Sequence, residues 1–202
     1  MISQSELQNE FIRSAIHVVA EKGLEHASTR SIAAYAQRNE TYIYHCFSGK
    51  DELFAAALHW EDTRFVDHLR KAMPVMYEES YSWKERCFHL WKSVWEYLIT
   101  KEDHLRFYLR YYYSAGCRKY AYAEHLEYFQ KVIEIGSPSF RADAELEPLL
   151  HQIFDTMLCF GLRTIEGELP VGEETTRWTF EQIYAFLLPH FRAGRVSLGE
   201  SH

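Results

Sequence analysis

Glycine and proline are scarce in this sequence, nine and five in 202 residues. They gather at a few points: Gly23, Ser48-Gly49, Pro74, Gly136-Ser137-Pro138 and the segment 167–172. Between those points run long stretches without breakers, and Val, Ile and Thr do not alternate as they would in strands. Helix is therefore the expected state nearly throughout. Cysteine is also sparse. Cys46, Cys87, Cys117 and Cys159 lie far apart with no C-x-x-C spacing. This argues against a disulfide framework and for free thiols in a reducing, cytoplasmic setting. No apolar run approaches the roughly 18 residues of a membrane helix, and no basic segment leads into an apolar one as in a signal peptide, so no membrane partner is expected. Positive charge is in short supply as well, with 22 Lys and Arg against 29 Asp and Glu and a net charge of −7. An acidic chain is not drawn to nucleic acid by its whole-molecule field, so any such contact needs a local patch. Enzyme signatures are missing too: no G-x-G-x-x-G, P-loop, G-x-S-x-G or H-E-x-x-H occurs. The Glu-x-x-His pair of helical di-iron sites is absent. Glu85 with His89 and Glu147 with His151 are spaced as ordinary helix-face neighbours. No catalytic residue, metal ligand or cofactor is expected.

What the sequence does contain is amphipathic helix. The punctuation and the apolar periodicity predict about nine helices: 3–22, 28–36, 40–47, 50–72, 82–100, 102–115, 119–135, 144–166 and 173–191. The first carries an apolar face of Leu7, Phe11, Ile12, Ala15, Val18 and Val19, and Gly23 follows at the left-handed position of a helix C-cap. Ser28 or Thr29 can cap the second helix and Asn39 the third. Asp51 and Glu52 open the fourth, where the helix dipole favours acids. The tail, 192–202, is expected to fray.

Three short helices followed by a long one occupy the first ~70 residues, and the break between the second and third has the length of a helix-turn-helix turn. The stretch from Thr29 to Leu53, with Thr29, Ile32, Ala33, Ala36, Tyr44, Phe47, Lys50, Asp51, Glu52 and Leu53 in register, resembles the TetR-type bacterial repressors. The resemblance implies an all-α fold. A helix-turn-helix DNA-binding head at 1–49 would precede a larger ligand-binding and dimerisation domain at 50–202. It also implies a transcriptional regulator, a repressor released by a small-molecule effector and acting as a homodimer on palindromic operator DNA.

The sequence departs from that pattern in the turn. Gln37-Arg38-Asn39 stands where the family usually has Gly-Val-Ser, and Gln in a left-handed turn position costs about 1 kcal/mol. Arg38 can pack inward only through its aliphatic stem. Residues 1–53 hold five basic against seven acidic side chains, a net of −2, which is little with which to neutralise phosphates. The DNA-facing set is expected to be Arg30, Arg38, Asn39, Thr41, Tyr42, Tyr44, His45 and Lys50, with Arg38, Thr41, Tyr42 and His45 nearest base edges. Tyr44, although it stands in this set, is expected like Phe47 to pack the small head. The acidic head keeps a second reading open: a protein of this fold with weak or no DNA binding that acts through a protein partner.

The middle of the chain is dense in aromatic residues, and Tyr111-Tyr112-Tyr113 covers too much of a helix circumference for all three rings to face one core. A ligand pocket lined by Trp91, Trp95, Tyr108 and Tyr112, with Arg110 and Cys117 as polar contributors, is the expectation. The last two helices carry a wide apolar arc. In the resembling family they pair across a two-fold axis, which would place Ile153, Phe154, Met157, Leu158, Phe180, Tyr184 and Leu187 at the dimer interface.

Overall fold

Several helices begin where a polar side chain takes a free N–H group of the first turn. In the computed structural model, which describes residues 3–192, Ser3, Ser28 and Ser82 each form a reciprocal capping box, with Glu6, Ser31 and Glu85 respectively. Such a cap stabilises a helix by about 1 kcal/mol. The described residues form ten α-helices and no strands. They are α1 Gln4–Lys22, α2 Thr29–Tyr35, α3 Thr41–Cys46, α4 Lys50–Ala72, α5 Trp83–Ile99, α6 Glu102–Tyr112, α7 Ala115–Tyr120, α8 Tyr122–Gly136, α9 Leu146–Ile165 and α10 Glu173–Leu187. Gly23 closes α1 with φ 82°, a backbone state in which a side chain would be strained. The chain after Ala72 tightens into a 3-10 turn, Met73–Tyr77, that contains Pro74.

The tenth helix arises between α6 and α8, where the sequence predicts a single helix over 119–135. Ser114 caps a new turn by accepting from the N–H of Cys117 at 3.1 Å, so α6 ends at Tyr112 and α7 begins at Ala115. Gly116, which falls between the helices predicted over 102–115 and 119–135, lies inside α7; the break falls instead at Ala121, whose φ of −130° is outside the helical range. The expected fraying of the tail concerns residues that, Arg192 apart, lie outside those described.

The helices sort into two compact units. One contains the chain up to Phe65 together with Lys101–Tyr128. Its core joins Phe11, Ala15, Ile16 and Val19 of α1 to Ile32 of α2, Ile43 of α3, Leu53, Phe54 and Leu58 of α4, and Leu105 and Phe107 of α6. Phe54 meets the edges of Phe107 and Tyr111 at centroid distances of 6.5 and 5.8 Å. Each such ring removed from water contributes about 2–3 kcal/mol. The other unit contains Val66–Thr100 and, among the described residues, 129–192. There α5 packs against α9 and α10, Trp91 stacks on Trp95 at 5.7 Å, and Phe88 meets Phe180 at 5.2 Å.

Candidate functional site

The short third helix is built to show its side chains. Ile43 alone is fully buried, anchoring α3 to α1 and α2, while Thr41, Tyr42, Tyr44 and His45 are exposed around it. Phe47 packs the head as its sequence position suggests, at 6% exposure, whereas Tyr44 is 56% exposed. The outward reading of Tyr44 is therefore the one that fits. Its hydroxyl lies 3.3 Å from that of Thr29. The Asn39 side chain accepts from the N–H of Thr41 at 2.9 Å and caps the helix. Glu40 takes the Thr29 hydroxyl as a hydrogen-bond donor, which ties the carboxylate to α2 without cancelling its charge.

The turn before α3 is closed by Gln37. Its φ of 55° makes it the single non-glycine residue with positive φ among the described residues. The chain thus adopts the left-handed geometry of a glycine turn with a glutamine in place. Arg38 is turned towards α1, where its Nε and Nη2 donate to the two oxygens of Glu10 at 3.2 and 3.1 Å. Arg30 is exposed and, among the described residues, forms no ion pair. Lys50 is half-buried with its ammonium 5.7 Å from the Phe54 ring centroid.

Behind this turn lies a cleft of about 730 Å³. Its walls are one stripe of α1 (Glu10, Arg13, Ser14, His17), the end of α2 and the turn (Tyr35 to Arg38), and Asp103 and His104 of α6. Residues 10 and 17 are two turns apart on one helix face, about 10 Å along the axis. Glu10 holds the turn through Arg38. His17 holds α6 through Asp103 at 2.6 Å and stacks on Tyr35 at 4.1 Å.

The residues expected to form the ligand pocket divide between the two units. Trp91 and Trp95 belong to the second unit, buried at 8% and 1% exposure. The Trp91 indole N–H donates to the Thr176 carbonyl at 3.2 Å, so these rings build that unit's core. Arg110, in the first unit, donates to the carbonyls of Val19 and Ala20 and so closes the C-terminus of α1. Tyr108, Tyr112 and Cys117 do come together, around two residues the sequence reading missed. Asp62 of α4 and His125 of α8 are buried at 6% and 4% exposure, and Nδ1 of His125 lies 3.1 and 3.0 Å from the two carboxylate oxygens. The rings of Tyr108, Tyr112 and Tyr122 stand 6.2, 4.9 and 6.3 Å from the imidazole. Burial pushes the Asp62 carboxyl up, opposed by its hydrogen bond and charge interaction with His125. Burial also raises Tyr108 well above the ordinary phenol value and brings Cys117 to about 11, with the Asp62 charge adding to both. Two further pairs flank this centre. Glu61 meets His104, and Glu124 meets His59 at 2.7 Å. A signal for Asp62 was available. Phe54, Leu58, Asp62 and Val66 recur every four residues along the buried stripe of α4, and one of the four is charged.

On α9 and α10, Met157, Leu158, Phe180 and Tyr184 are at most 4% exposed within the protomer itself. Ile153, Phe154 and Leu187 are half-buried. The apolar arc is wide because α9 already packs on both α5 and α10. What faces outward is a different set: Cys159, Leu162 and Trp178, with Phe160 tilted against Trp178 at 5.1 Å.

Comparison with known proteins agrees with this architecture. Residues 11–57 match the family described as bacterial regulatory proteins, tetR family. The nicotine-responsive transcriptional repressor HdnoR of Paenarthrobacter nicotinovorans is 27% identical over 101 residues, 50% of each chain. The matched segment therefore spans about half the length of that curated relative. Among solved structures, a TetR family transcription regulator from Marinobacter aquaeolei superimposes with a TM-score of 0.68 at 14% identity, over 89% of this chain and 94% of that one. The fatty acid degradation regulator FadR from Bacillus halodurans gives 0.68 at 19% identity, over 90% and 94%. SmeT, repressor of a Stenotrophomonas maltophilia multidrug efflux pump, gives 0.64 at 15% identity, over 95% and 94%. At these identities the structural likeness is one of fold.

Proposed function

We propose that this chain, whose residues 11–57 match the tetR family of bacterial regulatory proteins, is a member of that family and a cytoplasmic repressor that binds palindromic operator DNA as a homodimer and is released by a small-molecule effector. The observation that carries the reading is α3: a helix of six residues whose one buried side chain, Ile43, turns Thr41, Tyr42, Tyr44 and His45 outward together. This is the geometry of a recognition helix, read from its first turns in the major groove. Arg30 and Lys50 flank it as phosphate contacts, and Arg38 joins them when it leaves Glu10. The head 1–49 is the DNA-binding part, and 50–202 holds the effector site and the dimer face.

The relative named above responds to nicotine, and a small-molecule signal is the reading for this chain as well. The effector site is the cluster of Tyr108, Tyr112 and Cys117 around Asp62. Asp62 is twelve residues along α4 from Lys50, about 18 Å of helix. An effector that favours one position of α4 thereby changes the placement of the head, and it does so only through its differential affinity for the two states. The outward face of α9 and α10, with Leu162 and Trp178 at its centre, serves the two-fold contact. No helix among the described residues is long and apolar enough to cross a membrane.

The test is selection of the purified protein against a random duplex library at low and moderate salt. A palindromic site, bound with steep salt dependence, supports the reading. If a folded dimer enriches no site, the head binds a protein instead; the Arg38–Glu10 pair and the net charge of −2 on residues 1–53 favour that reading.

A further inference from the structure

A buried carboxylate among aromatic rings is costly unless something cationic meets it. Asp62 sits at 6% exposure on the apolar stripe of α4, where a leucine would suit packing better. Three tyrosines, Tyr108, Tyr112 and Tyr122, direct rings to within 4.9–6.3 Å of the point opposite it. A counter-carboxylate with several aromatic rings around one point is an arrangement that can recognise organic ammonium groups. Here that point holds the His125 imidazole, presented by α8. The cage also carries a cation on its rim: the Arg118 guanidinium lies 4.2 Å from the Tyr122 centroid.

We propose that Asp62, Tyr108, Tyr112 and Tyr122 form a receptor for a small organic amine in its ammonium form, and that His125 is the internal group filling the receptor until the amine displaces it. This rests on the effector reading above and names the chemical class of the effector. Anionic ligands are disfavoured by Asp62 and by Glu61 beside it. Neutral aromatic ligands would stack without using the carboxylate. Displacement of His125 frees the start of α8 from α4, so binding acts on the helix that follows the head.

The experiment uses the full-length protein without DNA and three aromatic probes of equal size: benzylamine, benzyl alcohol and benzoate. Saturation-transfer NMR and thermal melting read binding. The expected result is a saturation signal and a raised melting temperature with benzylamine alone. Asp62→Asn should weaken benzylamine by at least roughly tenfold, the loss typical of a hydrogen bond to a charged group. His125→Ala should bind benzylamine more tightly than the parent, and imidazole should restore its melting temperature. Circular dichroism establishes that each variant is folded; should Asp62→Asn not fold, the His125→Ala rescue decides. Equal binding of the three probes, no binding of benzylamine to the parent and to His125→Ala, or unchanged affinity in a folded Asp62→Asn would each overturn the proposal. Because no DNA is present, these outcomes are independent of whether an operator is found, and an operator released by a non-basic compound would remove only the cation class.

Discussion

Replacing Glu10 by Gln should make this protein bind DNA more tightly although residue 10 touches no groove in the proposed complex. Glu10 holds both donor edges of Arg38 at 3.2 and 3.1 Å, with side chains 26% and 35% exposed. The substitution removes the carboxylate's charge, so the net charge on residues 1–53 moves from −2 to −1, and it releases a guanidinium beside the recognition helix. A partly exposed ion pair of this kind contributes about 0.5–1 kcal/mol, so melting should fall by no more than about 4 °C. On the DNA side, one added phosphate contact per protomer steepens the dependence of log K on log salt by about 0.9. Over a fourfold change in salt, from about 50 to 200 mM, that is roughly a further three- to fourfold loss of affinity per protomer, accompanied by a gain at the low-salt end. Fluorescence anisotropy on the selected duplex at four salt concentrations measures both quantities. An unchanged slope in a folded variant refutes the idea that Glu10 withholds Arg38 from phosphate. Weaker binding at every salt concentration would mean that the pair holds the turn in its binding geometry.

Urea unfolding at fixed protein concentration should show Asp62→Leu alone costing about 3–5 kcal/mol while Asp62→Leu with His125→Leu comes within about 1–2 kcal/mol of the parent, because breaking a buried pair strands one partner and removing both does not. Burial raises the Asp62 pKa in the folded state, so the stability linked to its protonation is fully present below the unfolded value near 4 and is lost as pH rises through the folded one. Relative to Asp62→Asn, the parent should therefore lose ground in urea melts as pH climbs from about 4. At the left-handed turn position, Gln37→Gly should be neutral or stabilising by up to about 1 kcal/mol and Gln37→Val destabilising by about 1 kcal/mol or more, read by thermal melting. Trp178→Arg, at an exposed site, should convert dimer to monomer in sedimentation velocity without unfolding, whereas Phe180→Ala, at a buried one, should cost about 3–5 kcal/mol in chemical unfolding.

The helices were legible because their signals are local. Ser3, Ser28 and Ser82 stand where the caps form, and Gly23 stands where φ is positive. The boundary that adds a helix lies between α6 and α8. There a serine cap at Ser114 competes with the glycine two residues on, and the sequence does not say which wins. The exposed face of α3 was also within reach, since Ile43 is its one aliphatic residue. What could not be read were pairings between distant residues. Arg38 and Glu10 are 28 apart, and His125 and Asp62 are 63 apart. Arg110 looked like a pocket residue because nothing nearby in sequence shows that the end of α1 needs a donor. Trp91 and Trp95 looked like pocket rings because an aromatic residue at helical spacing reads the same in a core as in a cavity.

The cleft behind the turn bears on how the head is held. One end is fastened by the Glu10–Arg38 ion pair and the other by the hydrogen bond between His17 and Asp103, and between them is about 730 Å³ of open space instead of packed side chains. A joint made this way has a stiffness that the solvent can tune, since added ions weaken partly exposed pairs over a screening length of about 8–10 Å. In the proposed DNA complex, raising salt would then do two things at once: it would compete for the phosphates and slacken the mounting of α3. A salt titration of the native protein should therefore curve on logarithmic axes, and a version braced by an apolar pair in place of Glu10 and Arg38 should give the straight line expected of counterion release alone.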